Sequence, residues 1–385
     1  MIRVGAANSL EDLKVLARAG AREVLLGAKI LSRYGSLEFS TLIELADSAK
    51  KLGLRPILEW DILMTQPEFE KACVLIDVVS SKLFDAVRVQ DVGAFEYVLR
   101  TRPEDSIQLI LETGNHNFEG VKRWCEYGGK RLERIMLSSQ LPVSVLQEWI
   151  SKISTPIEVL ALGPVLILYT PRHLLSNQLP DVEAAGILRA TASSEESFHS
   201  GLRVIENQHG TLVFLGKDYC LIDQIEELST LGLGALRIDL RLAEGVDLLS
   251  KMAGLFSVKK SDEAALILKN YPHETTRCFF KANNTDKAFV KLKNENLARE
   301  DHGFVGEVVE SAKDSYLVIH VRAKNQKLFK GQKICLTSPE GQSQEMTIHS
   351  LRNIDSQEVS EVLCGDLGVI SYLKRCPAKS SVYQV

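Results

Sequence analysis

The sequence predicts an α/β chain, a (β/α)8 TIM-type barrel followed by a small C-terminal β-barrel domain. Two observations carry the barrel. Through residues 1–257, short apolar runs rich in β-branched residues alternate with amphipathic helical stretches. This is the habit of parallel strands joined by crossover helices. Eight such runs occur, the number that an eightfold barrel requires. A third observation marks the second domain: from residue 303 onward the chain reads as short strands separated by turn signals.

In order, the strands are expected at 2–6 (IRVGA), 22–28 (REVLLGA), 55–61 (RPILEWD), 86–91 (AVRVQD), 107–113 (IQLILET), 134–139 (RIMLSS), 157–163 (IEVLALG) and 235–240 (ALRIDL). Several are nearly continuous apolar runs, as expected for strands covered on the outside by helices. Asn8-Ser9-Leu10-Glu11 puts a cap before an acidic first turn; Leu13, Leu16 and Ala17 recur at helical spacing, and Gly20 ends that helix. Ser40 precedes the second helix, with Leu42, Leu45, Ala46 and Ala49 on one face and Gly53 behind it. Gln66-Pro67-Glu68 begins the third, with proline in the tolerated first turn. Further helices are expected near 117–127, 142–152 and 244–256.

Residues 164–220 form a long insertion between the seventh and eighth strands, with one strand expected at 211–215. Loops of this length are usually functional or disordered. The expected organisation is therefore 1–257 as the barrel with insertion 164–220, 258–302 as a Lys- and Asn-rich bridging segment, and 303–385 as the small β-barrel domain. Pro339-Glu340-Gly341 is read as a tight turn in the last of these.

A net charge of −4 gives no global attraction to nucleic acid or to an acidic membrane. No apolar run approaches the ~20 residues that a bilayer span needs, and the opening residues lack the pattern of a secretory signal, so a cytoplasmic location without membrane insertion is expected. The seven cysteines are widely spaced, with no C-x-x-C, which excludes a sequence-local zinc motif and argues against a disulfide framework. No metal ligand set is expected.

Sites in such barrels lie at the C-terminal ends of the strands. Those ends present Asn8, Lys29, Glu59, Asp61, Gln90, Asp91, Glu112, His116, Ser138, Gln140, Tyr169, Arg172, Asp239 and Arg241. The insertion adds His173, Lys217 and Asp218. The set could bind a small polar or anionic ligand. A polar rim also serves simply to cap and solvate loops, and Asp239 with Arg241 two residues on fits a salt-bridged rim as well as a ligand clamp. His116 is the natural proton carrier near neutral pH. No G-x-S-x-G, H-E-x-x-H or P-loop is present.

One segment is recognisable. Gly163-Pro-Val-Leu-Ile-Leu-Tyr169-Thr-Pro-Arg172-His-Leu-Leu-Ser176-Asn177 resembles the signature of the peptidase U32 (collagenase-like peptidase) family. Residues 1–29, Gly216-Lys217-Asp218-Tyr219-Cys220, Leu236-Arg237-Ile238-Asp239-Leu240-Arg241 and Thr276-Arg277-Cys278-Phe279-Phe280-Lys281 resemble further family segments in the same order. The resemblance implies RNA-modifying chemistry, C5-hydroxylation of pyrimidines in tRNA or rRNA, or a related hydroxylation pathway. The family name implies a peptidase instead. Cluster-bearing members hold an iron–sulfur centre on four cysteines. Here Leu166 and His173 stand at the first two of those positions, the stretch 185–195 has no cysteine, and Cys220 alone remains, so the cluster is expected to be absent and no cofactor is expected. On this reading His116, Asp218 and Asp239 manage protons. Glu59, Gln90, Tyr169, Arg172, Ser176, Asn177, Lys217 and Arg241 bind substrate. The basic stretch 281–293 and the β-domain steer tRNA or rRNA. A third reading is a non-catalytic scaffold that partners a cluster-bearing relative.

Overall fold

The computed structural model describes residues 1–79, 81–112, 115–177, 186–193, 201–243, 245, 247–281, 303–339 and 341–385. The chain divides into two units, Met1–Asn283 and Asn284–Val385.

The first unit is built on β1 (Ile2–Ala6), β2 (Glu23–Leu26), β3 (Arg55–Trp60), β4 (Ala86–Val89), β5 (Ser106–Leu111), β6 (Leu132–Leu137) and β7 (Ile157–Gly163), each parallel to the next. The insertion supplies β8 (Leu166–Thr170), β9 (Leu188–Ala192), β10 (Leu202–Asn207), β11 (Gly210–Phe214) and β12 (Asp218–Cys220). The eighth barrel strand, β13 (Ala235–Ile238), pairs in parallel with both β7 and β1 and closes the ring. Each barrel strand coincides with one of the eight runs read from the sequence, apart from offsets of at most two residues at the ends; β6, for example, begins at Leu132 rather than Arg134.

The helices between them are α1 (Leu10–Ala19), α2 (Phe39–Lys51), α3 (Gln66–Val78), α4 (Val92–Thr101), α5 (Phe118–Gly128), α6 (Val143–Lys152), α7 (Ile225–Thr230) and α8 (Leu248–Met252). Their starts follow local chemistry. Ser9 accepts from the Asp12 N–H and Gly20 ends α1 in the left-handed region. Thr65 and Glu68 form a reciprocal capping box on α3. α2 begins at Phe39, ahead of the expected Ser40 cap, and no side chain caps it. α4 is not among the helices expected from the sequence; its cap is Asp91, which accepts from the Ala94 N–H.

Two stretches differ more from expectation. The insertion carries a four-stranded antiparallel sheet in the order β8-β11-β10-β9, where one strand was expected. The stretch from 258, read as a bridge, carries α9 (Ser261–Leu268) and β14 (Thr275–Thr276), the latter paired with β12. Val258, Ala264, Tyr271 and Phe280 lie in the barrel core, so residues 258–281 are held by apolar burial rather than left as a linker.

The second unit comprises β15 (Phe304–Ala312), β16 (Tyr316–Val321), β17 (Leu328–Phe329), β18 (Lys333–Thr337), β19 (Ser343–Thr347), β20 (Leu351–Arg352), β21 (Glu361–Val362), β22 (Leu367–Ser371) and β23 (Ser381–Gln384). Seven strands form an antiparallel half-barrel in the order β19-β18-β23-β15-β16-β22-β20, and β17 pairs with β21. Both sheets contribute to one core, which includes Val305, Leu317, Ile319, Leu328, Leu336, Val362 and Val382.

Candidate functional site

Successive residues of a strand face opposite sides. In this barrel the outward positions are apolar and pack under the helices, while many inward ones are charged. Glu23, Arg88, Gln108, Arg134, Glu158 and Arg237 are all buried there. Arg88 donates to Glu158 (2.8 and 3.0 Å) and to Gln108 (2.6 and 3.0 Å). Arg134 bridges Glu23 (2.5 Å) and Glu158 (3.2 Å). Burial alone would raise the Glu23 carboxyl, but Arg134 and Arg55 outweigh it and hold the group at about 2.

The network continues to the C-terminal mouth. Arg237 meets Glu112, and its Nε lies 3.7 Å from Glu158. Arg33 binds Asp61 (2.8 Å) and lies 3.7 Å from Glu112. Arg241 grips Asp239 (2.8 and 3.0 Å) and also Glu59. Its guanidinium and that of Arg33 stand over the Tyr34 ring, at 5.3 and 5.0 Å. Thus three guanidiniums (Arg33, Arg237, Arg241) face four carboxylates (Glu59, Asp61, Glu112, Asp239). The cations are compensated inside the protein, so this mouth offers no surplus positive charge to an anion. Burial opposes ionisation of Asp239, but Arg241 and Arg237 outweigh it and keep the carboxyl well below its ordinary range.

The β8–β11 sheet roofs this mouth. Ile205, Leu212 and Phe214 pack with Tyr34, Leu166, Tyr169 and Leu242. The Tyr169 hydroxyl accepts from the Leu63 N–H at 3.1 Å, tying the roof to the loop after β3; burial pushes its pKa up to about 12. The space left between roof and mouth is about 30 Å³, bounded by Tyr34, Glu112, Ser139, Arg237 and Asp239 among others. That is room for about one or two waters.

The other residues singled out from the sequence fall in three places. His116 and Ser138 meet at the ends of β5 and β6, with Nε2 3.1 Å from Oγ. Gln90, inward on the turn after β4, has a buried Oε1 without a hydrogen-bond partner among the described residues. Arg172 and Asn177 are exposed on the turn beyond β8, and the backbone of Ser176 donates to Glu206. Lys217 is exposed and paired with Glu274 at 2.8 Å. Asp218 is fully buried on β12, receiving Arg203 and the Tyr271 hydroxyl (2.7 Å), with His273 Nδ1 at 3.1 Å.

Sequence reasoning missed Arg33, Tyr34, Arg88, Arg134, Glu158, Arg203 and His273. A signal for the barrel charges was present: β4, β7 and β13 each carry one ionisable residue amid apolar neighbours, at an inward position. Nothing comparable marked His273, which lies in the stretch read as a bridge.

The thiols are scattered. Cys220 is buried on β12 opposite Leu162, and burial pushes its thiol up to about 11. Leu166 pairs with Phe214 at one end of β8, and His173 lies past the other end, 3.6 Å from Glu206. No group of three His, Cys, Asp or Glu among the described residues could hold a metal. An iron–sulfur cluster needs a converging set of thiolates, and the described side chains do not fit one.

Comparison with known proteins agrees with the resemblance read from the sequence. Residues 8–260 match peptidase family U32. The tRNA hydroxylation protein P1 of Bacillus subtilis (strain 168) is 21% identical over 377 residues, covering 92% of this chain and 87% of that protein. The tRNA hydroxylation protein P2 of the same organism is 23% identical over 243 residues, covering 60% and 77%. Among solved structures, phosphoribosyl anthranilate isomerase from Thermus thermophilus is 11% identical with a TM-score of 0.36, covering 70% of this chain and 98% of that one. The C-terminal domain of a Geobacillus thermoleovorans protein named as a U32 peptidase is 12% identical with a TM-score of 0.20, covering 22% and 92%. The family match spans well over half of the sequence, and the chain belongs to peptidase family U32.

Proposed function

We propose that this U32 chain acts in the C5-hydroxylation of pyrimidines in tRNA, as an RNA-modifying enzyme that binds its substrate around the roofed C-terminal end of the barrel. The observation that carries the reading is co-linear similarity over 92% of the chain to a protein named for tRNA hydroxylation. The barrel end is where this fold places its sites.

The roles proposed for the site residues draw on their contacts. Glu59, Asp239 and Arg241 form a locked floor; Asp239 stays ionised beside Arg241 and positions it rather than carrying protons. His116, in contact with Ser138, is the proton carrier at the mouth. Gln90 offers an unused acceptor there. Arg172 and Lys217 are exposed cations for backbone phosphates, with Ser176 and Asn177 shaping the edge and Tyr169 anchoring the roof. Of the basic stretch 281–293, Lys281 is paired with Glu227 (2.7 Å), and the rest lies outside the described residues. A cluster-bearing U32 relative is the partner we propose for the redox step.

Nucleoside mass spectrometry of tRNA from cells with and without the gene tests this. Loss of a 5-hydroxypyrimidine nucleoside is expected, and an unchanged profile overturns the reading. One contact favours a hydrolytic alternative: His116 Nε2 against Ser138 Oγ is a base–nucleophile pair. Cleavage of casein or denatured collagen that disappears in Ser138→Ala would establish that alternative.

A further inference from the structure

The chain enters and leaves the roof at one place. β7 ends at Gly163, Pro164 and Val165 lead into β8, and the return from β11 runs through Leu215 to β12. The Leu215 N–H donates to the Val165 carbonyl at 3.0 Å, so the two crossings lie side by side. Arg203, near the start of β10, reinforces this end. It donates to Asp218, which is fully buried and also receives the Tyr271 hydroxyl at 2.7 Å.

The opposite end is held differently. The tip of the β10–β11 hairpin reaches two backbone carbonyls of the loop after β2. Asn207 donates to the Arg33 carbonyl at 2.9 Å, and Gln208 (2.5 Å) and His209 (2.6 Å) both donate to that of Lys29. On β8 the Tyr169 hydroxyl accepts the Leu63 N–H at 3.1 Å. None of these four contacts is an ion pair, and each such bond contributes little net stability. Among the described residues no backbone–backbone hydrogen bond joins β8, β9, β10 or β11 to a barrel strand. The apolar contact is narrow as well: Tyr34 and Leu242 are the barrel-side members of the cluster around Ile205, Leu212 and Phe214. Beside Phe214 and Leu242 a cavity of about 310 Å³ leaves the sheet short of close packing.

We propose that the roof is a lid: it turns about the paired crossings at 163–165 and 215–218, and the hairpin tip with Tyr169 is its latch. Glu112, Ser139, Arg237 and Asp239 face the space beneath, which at about 30 Å³ holds one or two waters. Any larger ligand of these groups needs the sheet to lift. A closed lid then keeps water from the charged mouth, and an open one admits the ligand. Arg203 and Asp218 hold the hinge end while the free end moves. This gives a structural role to a carboxylate that the sequence offered as catalytic. The lid rests on the shape of the mouth and not on the hydroxylation reading, because any substrate at this barrel end needs it.

Thiol labelling of the full chain carrying Ser139→Cys tests the lid. A maleimide is too large for the closed space, so the introduced thiol should react only through the open state. Cys364, which is exposed, gives the unhindered rate, and Cys220, buried on β12, reports unfolding of the whole unit. Peptide mass spectrometry reads each thiol separately. With the latch intact, the introduced thiol should react at least about tenfold more slowly than Cys364. Gln208→Ala with His209→Ala removes two latch bonds and should speed it about tenfold. Tyr169→Phe keeps the ring, removes only the hydroxyl and should speed it about threefold. Cys220 should keep its slow rate in both. Reaction at the Cys364 rate with the latch intact, or at an unchanged rate in both latch variants, overturns the lid. So does a gain that Cys220 shares, because the roof then opens only with the whole unit. The hydroxylation reading fails separately: a nucleoside profile that is unchanged without the gene leaves the labelling result standing.

Discussion

Arg88 and Glu158 face each other inside the barrel with no side-chain surface exposed. Two buried charges cost solvation energy that their attraction and hydrogen bonds must offset. Removing Arg88 takes away the two shortest donors to Glu158 and leaves it only Arg134 at 3.2 Å and Arg237 at 3.7 Å, so Arg88→Ala should destabilise the barrel unit by about 3 kcal/mol, the lower end for a broken buried pair. Chemical denaturation followed by a barrel tryptophan such as Trp60 would check this. Glu206 acts on a different part of the molecule. Its carboxylate receives the backbone N–H groups of Leu175 (2.7 Å) and Ser176 (2.9 Å) and the Thr211 hydroxyl (2.7 Å). Burial would raise its pKa, but these donors outweigh it and hold the group at about 2. A folded pKa below the unfolded one means stability that is present above about 4.5 and lost as pH falls towards about 2. The difference in melting temperature between wild type and Glu206→Gln should therefore be largest above pH 4.5 and shrink as pH falls to about 2.

Among the elements, the roof sheet depends on a tight hairpin. Gly210 joins β10 to β11 at φ +108°, where a Cβ would overlap the Thr170 carbonyl oxygen. Any side chain there forces β8 and β11 apart and also adopts a disfavoured backbone conformation. Gly210→Ala should speed amide exchange in β8, β10 and β11 at least about tenfold while β1–β7 keep their protection, which exchange mass spectrometry resolves by peptide. Equal loosening of the barrel strands would show that roof and barrel are one cooperative element. The same elements show how local chemistry sets boundaries. Ser9, Asp91 and Asn117 each accept from a helix N–H, whereas α2 starts without such a cap.

At the scale of the whole molecule, the two units have separate cores, one of barrel and helices and one of the half-barrel. Separate cores unfold as separate cooperative units. Calorimetry of the full chain should give two transitions, and Arg88→Ala should lower only one of them. A single transition shifted as a whole would contradict this. No helix among the described residues is long and apolar enough to cross a membrane.

The eight barrel strands and most of their helices were legible in the sequence because strand and helix periodicity and helix caps are local. A run such as IRVGA or IEVLALG carries its own strand signal, and Ser9 or Thr65 caps a helix whatever lies beyond it. The tertiary structure alone decided which side chains meet at the candidate site. Arg134 meets Glu23 across 111 residues, Arg241 meets Glu59 across 182, and Arg203 meets His273 across 70. Such pairings depend on which inward positions the closed barrel and its roof bring together, and no local periodicity encodes that. Hence Asp239 and Arg241, open from sequence to a rim or a clamp reading, prove bound to each other, with Arg241 also donating to Glu59. His273, silent in the sequence, comes to line a cavity because burial of Tyr271 and Phe280 draws its segment against the barrel.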